Sequence, residues 1–307
     1  MAKEDKDLME SGAKVKLGTS DKIIRGFGYV FLTLYSICCI IPFIIIVSTS
    51  FTSESVIRAE GVQFLPKDIT LTAYDMVTKS GGIWWSYVVT ILLTVIGTGI
   101  GLSIIAMTGY ALQRKDFPFR NGISFFIYFT SLFQAGLAPY YLLMTQTYHL
   151  KDNYLAVLLP LLMSPWLIIL MKNFVKSIPH EITESGKIDG AGDMRIFVSL
   201  ILPMLKPALA TIGLFLALGY WNEWYQSSLF LSSRVAVKPL QFTLYEIVNK
   251  TDALKNSVAG QFINLADIPQ ESVKMANAVL ATGPIVMLYP FVQKYFISGI
   301  TVGAVKG

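Results

Sequence analysis

Five consecutive aromatic and polar residues near the end of an apolar run form the first candidate binding site. They are Trp221, Asn222, Glu223, Trp224 and Tyr225. Aromatic rings can stack on sugar rings, and amide and carboxylate oxygens accept hydrogen bonds from hydroxyls. A carboxylate in apolar surroundings costs about 2.5 to 3.5 kcal/mol on insertion scales, so we expect Glu223 to face water or a partner and not lipid. An aromatic belt at the membrane interface accounts for the same residues equally well.

The polar segment 177–203, which interrupts the apolar runs, is the second candidate site. Three charged residues at three-residue spacing share one face of a helix: Glu181, Glu184 and Lys187. Asp189-Gly190 then breaks that helix as a turn. After Asp193, which we expect to cap the next helix, apolar residues recur at helical spacing. The pattern predicts two short helices beside the membrane, a shape suited to pushing on another protein; an ordinary solvated loop is the open alternative.

The same segment resembles a sequence motif of a known family. The strings that carry the resemblance are Glu184-Ser185-Gly186, Asp189-Gly190-Ala191 and Ile201-Leu202-Pro203. They resemble the EAA loop of ABC importer permeases, which in the MalG-like, carbohydrate-importing branch reads close to Glu-Ala-Ala-x-Ile-Asp-Gly-Ala. The chain departs from that wording at Ser185 and Gly186, where two alanines are usual. Both residues are small, although Gly186 costs about 1 kcal/mol of helix propensity relative to alanine.

The resemblance covers the chain from about Asp21 onward and implies a function. It implies one permease subunit of an ATP-driven bacterial importer, forming half of the translocation pathway for a carbohydrate of the oligosaccharide class. Such permeases pair with a homologous second permease, two ATPase subunits and an extracellular solute-binding protein, which the long loops 51–83 and 232–276 would meet. By carry-over, the residues that couple the chain to the ATPase are Glu184, Ser185, Gly186, Asp189, Gly190, Ala191, Ile201 and Pro203. The cluster 221–225 is similar to one that sugar permeases carry, and would line the substrate pathway.

The chain shows no nucleotide-binding chemistry of its own. It contains no Gly-x-x-x-x-Gly-Lys-[Ser/Thr] phosphate cradle, so we expect a non-enzymatic subunit with ATP hydrolysis on a separate polypeptide. The two histidines, His149 and His180, lie in different loops, and Cys38 and Cys39 are adjacent, so we predict no metal site, no cofactor and no disulfide. The alternative functions are an ion-gradient-driven secondary transporter, which calls for an inverted repeat and a charged relay, and a membrane scaffold.

The composition indicates which elements position these residues. Of 307 residues, 53% are hydrophobic and 15% are charged, which is too apolar for a soluble globular protein. A spanning helix needs about 20 apolar residues, and six stretches qualify. They are 23–50, 84–112, 122–145, 154–171, 208–231 and 277–297. We therefore predict an all-α, polytopic membrane protein with six transmembrane helices in residues 23–298 and a helix-turn-helix at 177–203, which the resemblance identifies with the type I ABC importer permease fold.

Features within the spans predict local geometry. Gly97 and Gly101 lie on one helix face and allow another helix to approach closely. Prolines interrupt several spans, which favours kinks; they are Pro139, Pro160, Pro165, Pro284 and Pro290.

The placement of lysine and arginine predicts the orientation. The net charge of +5 comes from basic residues that flank the apolar spans and form no separate basic domain, so we expect no nucleic-acid partner. They crowd the N-terminal tail, the second and fourth loops and the C-terminal tail. We predict that the tails 1–22 and 299–307 and the 177–203 segment lie in the cytoplasm, and that the first span is an uncleaved membrane anchor. The resemblance implies that the membrane is that of a bacterial cell.

Overall fold

The computed structural model describes residues 19–79, 82–133, 135–256 and 270–304. Within these ranges the chain is helical and has no strand, only a single bridge between Thr52 and Ile69. Three described segments, Ile23–Ser50, Ile83–Gln113 and Leu155–Lys176, are long and apolar enough to cross a membrane, and the number rises to five if each of two bent helix pairs is one span. The prediction of an all-α membrane protein is confirmed. Much of the predicted tails, residues 1–18 and 305–307, lies outside the described residues.

The long helices coincide with apolar stretches of the sequence. The first helix, Thr19–Ser50, and the second long helix, Ile83–Gln113, contain the predicted spans 23–50 and 84–112. The last helix, Glu271–Ala304, contains the predicted span 277–297.

Three predicted spans are interrupted. The fourth consists of Leu155–Leu162 and Pro165–Lys176, because Pro165 opens a new helix and holds Ser164 in an extended conformation. Pro165 was predicted to kink this span. The third breaks just before Pro139, which was also predicted to interrupt its span, whereas the break in the fifth was not predicted. The helices of these two spans are Arg120–Leu132, Leu137–Leu142 and the π-helical turn Leu143–Thr147 for the third, and Lys206–Trp221 and Tyr225–Phe230 for the fifth.

The second long helix lies at the centre of the bundle, against the fourth and fifth spans. A Cβ atom at Gly97 would lie 2.3 Å from Cζ of Tyr220, and one at Gly101 would lie 3.0 Å from the carbonyl oxygen of Leu162. The close helix contact predicted from this glycine pair is confirmed, and it joins helices of the same chain. Tyr220 then donates a hydrogen bond to the carbonyl of Leu158 over 2.8 Å, which ties the fifth span to the fourth.

The bundle has two distinct ends. We call the end that carries Arg114 and the 177–203 segment the loop end. The far end carries three helices of the two long loops: Glu54–Glu60, Thr72–Lys79 and Leu240–Asn256.

A buried carboxylate holds the far end together. The Glu54 carboxylate accepts the backbone N–H groups of Glu271 and Ser272 over 3.1 and 3.2 Å, and so caps the last helix. Because the cap comes from a different helix, it fastens the loop 51–83 to the start of the last helix.

Candidate functional site

The 177–203 segment folds into the predicted helix-turn-helix. The first helix is His180–Ile188, and the second runs from Asp193 to Met204 through a π-helical turn, Phe197–Ile201. Gly190 has a φ of +72°, a conformation that favours glycine, and therefore provides the turn. The second helix meets the fifth span at 83°.

The turn exposes its tip and buries one glycine. Ile188 is 86% exposed, although it is a large apolar residue. Gly186 is buried, and a Cβ atom there would lie 3.0 Å from side-chain atoms of both Ile196 and Leu200. The two helices therefore pack directly on each other at this point. The other predicted coupling residues divide into exposed positions (Glu184, Ser185, Asp189, Gly190 and Pro203), a half-buried one (Ala191) and a buried one (Ile201).

An ion-pair network fastens this segment to the end of the second long helix. Arg114 Nη1 lies 2.8 Å from Asp193 Oδ1, and Arg114 Nε donates to Asp116 Oδ1 over 2.8 Å. Lys187 Nζ lies 3.0 Å from the second oxygen of Asp116. Hydrogen bonds from Arg114 and Lys187 lower the pKa of the Asp116 carboxyl well below its ordinary value. Both helices of the segment are thus bonded to the same short loop.

The network corrects the role expected for Asp193. The N-cap of the second helix is Gly192, and Asp193 is already the first residue of the helix. No side-chain hydrogen bond caps this helix. Its carboxylate instead binds Arg114. Nearby, the Tyr110 ring packs on Phe197 with centroids 5.1 Å apart and lies 6.0 Å from the Arg114 guanidinium carbon. An apolar contact therefore supports the ionic one.

The aromatic cluster 221–225 does not form one surface. Trp221 is buried and donates its indole N–H to the carbonyl of Ala281 over 3.0 Å. Asn222, Trp224 and Tyr225 are exposed at the far end of the fifth span. Trp224 is 41% exposed and lies with its ring 4.8 Å from the ring of Tyr245. The exposed rings of Trp224 and Tyr225 remain accessible to a ligand, whereas the Asn222 amide already bonds the Leu218 carbonyl and Gln241.

Glu223 has its partners in its own chain. It is buried, and its carboxylate accepts the backbone N–H of Gln226 and, over 2.6 Å, the hydroxyl of Ser227. These bonds cap the short helix Tyr225–Phe230. A carboxylate inside a membrane is costly, which predicted a contact with water or a partner for Glu223. These hydrogen bonds offset that cost within the chain, and the role of Glu223 here is structural.

A cleft opens at the break in the fourth span and was not predicted as a site. Its volume is about 550 Å³, and its lining is Pro160, Leu161, Met163, Ser164, Pro165, Trp166, Leu167, Phe215, Leu216, Gly219 and Gln226. Trp166 is 56% exposed and packs at 77° against Phe215, with centroids 5.2 Å apart. The sequence signal was a tryptophan directly after Ser-Pro inside an apolar run. Within the described ranges, no group of three or more metal-ligand side chains comes together.

Known proteins resemble almost the whole chain. Residues 101–302 match the family described as binding-protein-dependent transport system inner membrane component. The polygalacturonan/rhamnogalacturonan transport system permease protein YtcP of Bacillus subtilis (strain 168) is 34% identical over 91% of this chain and 96% of its own. Protein LplC of the same organism is 35% identical over 87% of this chain and 90% of its own. A solved structure is also similar: the crystal structure of a bacterial ABC transporter involved in the import of the acidic polysaccharide alginate. One of its chains is 32% identical to this chain and superposes with a TM-score of 0.75. The match covers 91% of this chain and 99% of the chain in that structure.

Proposed function

Since the chain belongs to the family of binding-protein-dependent transport system inner membrane components, we propose that its 177–203 segment receives the movement of an ATPase while its helices carry a carbohydrate across the membrane. The chain is a multi-pass inner-membrane permease subunit of an ABC importer, with the type I permease fold that was predicted. Permease subunits of this kind are not themselves catalytic. The comparisons give no support to the alternative of a secondary transporter.

Similarity to transporters of polysaccharides supports an oligosaccharide as the cargo. One relative is named for polygalacturonan and rhamnogalacturonan, and the similar solved structure for alginate import. The exposed aromatic residues Trp224 and Tyr225 at the far end, and Trp166 in the cleft, offer rings on which sugars stack. We place the pathway along these residues and Asn222.

The observation that carries the coupling role is the ion-pair network at the loop end. A loop that transmits force must be exposed at its tip and rigid at its base. Ile188 provides an exposed apolar tip suited to a groove on another protein. Arg114, Asp116, Lys187 and Asp193 connect the base to the second long helix. ATP-driven closure of the partner would thus move the spans as a lever.

The proposed assembly contains this chain, a homologous second permease, two separate ATPase subunits and a solute-binding protein. The loop end faces the cytoplasm in this proposal, as do both tails, because lysine and arginine concentrate there. The far end, with its three short helices, faces the solute-binding protein. The six spans predicted from hydropathy belong to the same proposal.

Charge reversal at Glu184 tests the coupling role. Its side chain is 62% exposed and lies 3.6 Å from His180, so we expect Glu184→Lys to leave the fold intact. In vesicles that contain the complete importer, we expect ATP hydrolysis to persist while uptake falls at least tenfold. Arg25→Glu, a charge reversal of an exposed residue on the first helix and outside both proposed contact surfaces, serves as the control. Normal uptake per ATP hydrolysed by Glu184→Lys would refute the role of this segment.

A further inference from the structure

We propose that the cleft at the break in the fourth span is a subsite for one sugar ring, and that it recognises the ring without recognising its charge. The inference rests on the proposed function and specifies how this subunit treats its cargo. The volume of about 550 Å³ lies within the range of about 300 to 1,000 Å³ that is usual for small-molecule sites. One pyranose unit of a longer chain fits such a space.

Trp166 provides the stacking surface. Because Pro165 begins a new helix after the break, Trp166 lies in the first turn of that helix and at the mouth of the cleft. Phe215 of the fifth span packs against the indole at 77°, which fixes the orientation of the ring. More than half of the tryptophan surface nevertheless remains exposed. A large, fixed aromatic face suits the C–H face of a pyranose.

Gln226 provides hydrogen-bond donors in a defined orientation. Tyr140 donates its hydroxyl hydrogen to Gln226 Oε1 over 2.8 Å. This bond occupies the amide oxygen, and the amide nitrogen makes no hydrogen bond to the described part of the chain. Two N–H donors are therefore available for sugar hydroxyls. Ser164, at the break itself, adds a hydroxyl to the lining.

The lining contains no charged side chain among its described residues. The cleft therefore offers no cation that could bind the carboxylate of an acidic sugar. A carboxylate enclosed by these residues would lose its hydration without gaining a cation. The Glu223 carboxylate, which binds the backbone N–H of Gln226, would repel it further. A uronate ring must therefore turn its carboxylate away from this cleft, towards water or another subunit. Neutral and acidic rings consequently bind here alike.

Paired probes test this inference in vesicles containing the complete importer and its binding protein. The probes are a galacturonate trisaccharide and its methyl ester, which have the same rings and differ in charge. We expect Trp166→Ala to lower the uptake of both by the same factor, of about tenfold, and Trp166→Phe to recover most of it. Gln226→Glu should lower uptake of the acidic probe more than that of the ester. Trp85→Ala removes an equally exposed tryptophan at the start of the second long helix and should change neither uptake.

Each outcome is informative. The proposal fails if Trp166→Ala leaves uptake unchanged, or if it affects only the acidic probe. Equal thermal unfolding temperatures of the Trp166→Ala and wild-type importers exclude misfolding as the cause of a loss. A wild-type importer that hydrolyses ATP and moves neither probe would contradict the proposed cargo, and this inference with it.

Discussion

Gly186 sets the distance between the two helices of the 177–203 segment. A methyl group at this position would press on Cγ1 of the buried Ile196 and on Cδ1 of Leu200, both at 3.0 Å, and the exposed end of Leu200 can move aside. Gly186→Ala also gains about 1 kcal/mol of helix propensity, so we expect little net change in stability. Gly186→Leu overpacks the contact and should cost about 1 to 3 kcal/mol, with reduced uptake. Thermal unfolding of the purified importer and vesicle uptake measure the two effects.

The control for Gly186 is Gly192, in the same segment. Its backbone has a negative φ, and no atom lies within 4 Å of a Cβ atom built there. Gly192→Leu should therefore leave the unfolding temperature close to that of the wild type. An equal loss of stability in both leucine variants would contradict the packing argument.

Asp116 connects Arg114 to Lys187, and its charge should matter more for coupling than for stability. The pairs are partly exposed, and such pairs are worth about 0.2 to 1 kcal/mol. We expect Asp116→Asn to change the unfolding temperature little and to raise the ATP consumed per sugar imported severalfold, because the 177–203 segment then moves independently. Lys115→Ala, in the same loop, is the control. An Asp116→Asn importer that consumes no more ATP per sugar than Lys115→Ala would argue against the network.

The Asp116 pair also predicts a pH dependence. Its pKa is lower in the folded chain than in the unfolded one, where aspartate titrates near about 3.9. The stabilisation is therefore fully present above that ordinary value and is lost only as the pH falls through the lower folded value. This group should not make the ATP consumed per sugar vary between about pH 5 and pH 8.

Sequence reasoning identified the exposed residues of the site better than the buried ones. Gly190 and the spacing of apolar residues indicated the helix-turn-helix because both are local signals. The pair Arg114 and Asp193 is far apart in sequence, so only the fold shows that it meets. Trp221 looked like an interfacial aromatic residue until the structure placed its N–H on a carbonyl of the last helix.

Among the helices, the approach of the fifth span to the second long helix depends on Gly97. Gly97→Ala places a methyl group closer to the Tyr220 ring than a van der Waals contact allows. The ring must shift, and its hydrogen bond to Leu158 is strained or lost. We expect a loss of about 1 to 3 kcal/mol in stability and a clear loss of uptake, measured by thermal unfolding and vesicle assay.

Gly99 on the same helix provides the matched control. It has open space around its Cβ position, so Gly99→Ala gains the same helix propensity without a contact. The difference in stability between the two alanine variants measures the cost of the contact with Tyr220. A Gly97→Ala importer as stable and active as Gly99→Ala would show that the helices are not held this closely.

Hydropathy locates apolar helices and misses their interruptions. A window of about 20 residues averages over a two- or three-residue break, and only proline marks one reliably. No proline marks the break after Trp221. This break depends on Glu223, whose carboxylate caps the next short helix. Pro165 marks the break beside Trp166, but the cleft there could not be predicted, because Phe215 and Gln226 reach it from the fifth span, about 50 to 60 residues further along the chain.

Across the whole molecule, the second long helix connects the loop end to the far end. At one end its last turn leads into Arg114 and the ion-pair network. In its middle it packs on Tyr220 and Leu162, beside the cleft. At the other end the Thr90 hydroxyl accepts the backbone N–H of Leu240 over 2.8 Å. In the proposed mechanism, a displacement of the 177–203 segment would therefore reach the cleft and the far end through this one helix.

If the segment and this helix move together, joining them covalently should leave transport intact. Lys115→Cys and Met194→Cys introduce thiols at the sequence neighbours of Arg114 and Asp193, whose Nη1 and Oδ1 atoms lie 2.8 Å apart, in a chain whose exposed Cys38 and Cys39 are replaced by serine. After treatment with a short bifunctional thiol reagent, we expect uptake per ATP to remain within about twofold of that of the untreated importer. Variants with a single cysteine control for modification alone. Loss of uptake on cross-linking would mean that the segment slides against the helix during the cycle. Movement would then have to pass through the fifth span, which the second helix of the segment meets at 83°.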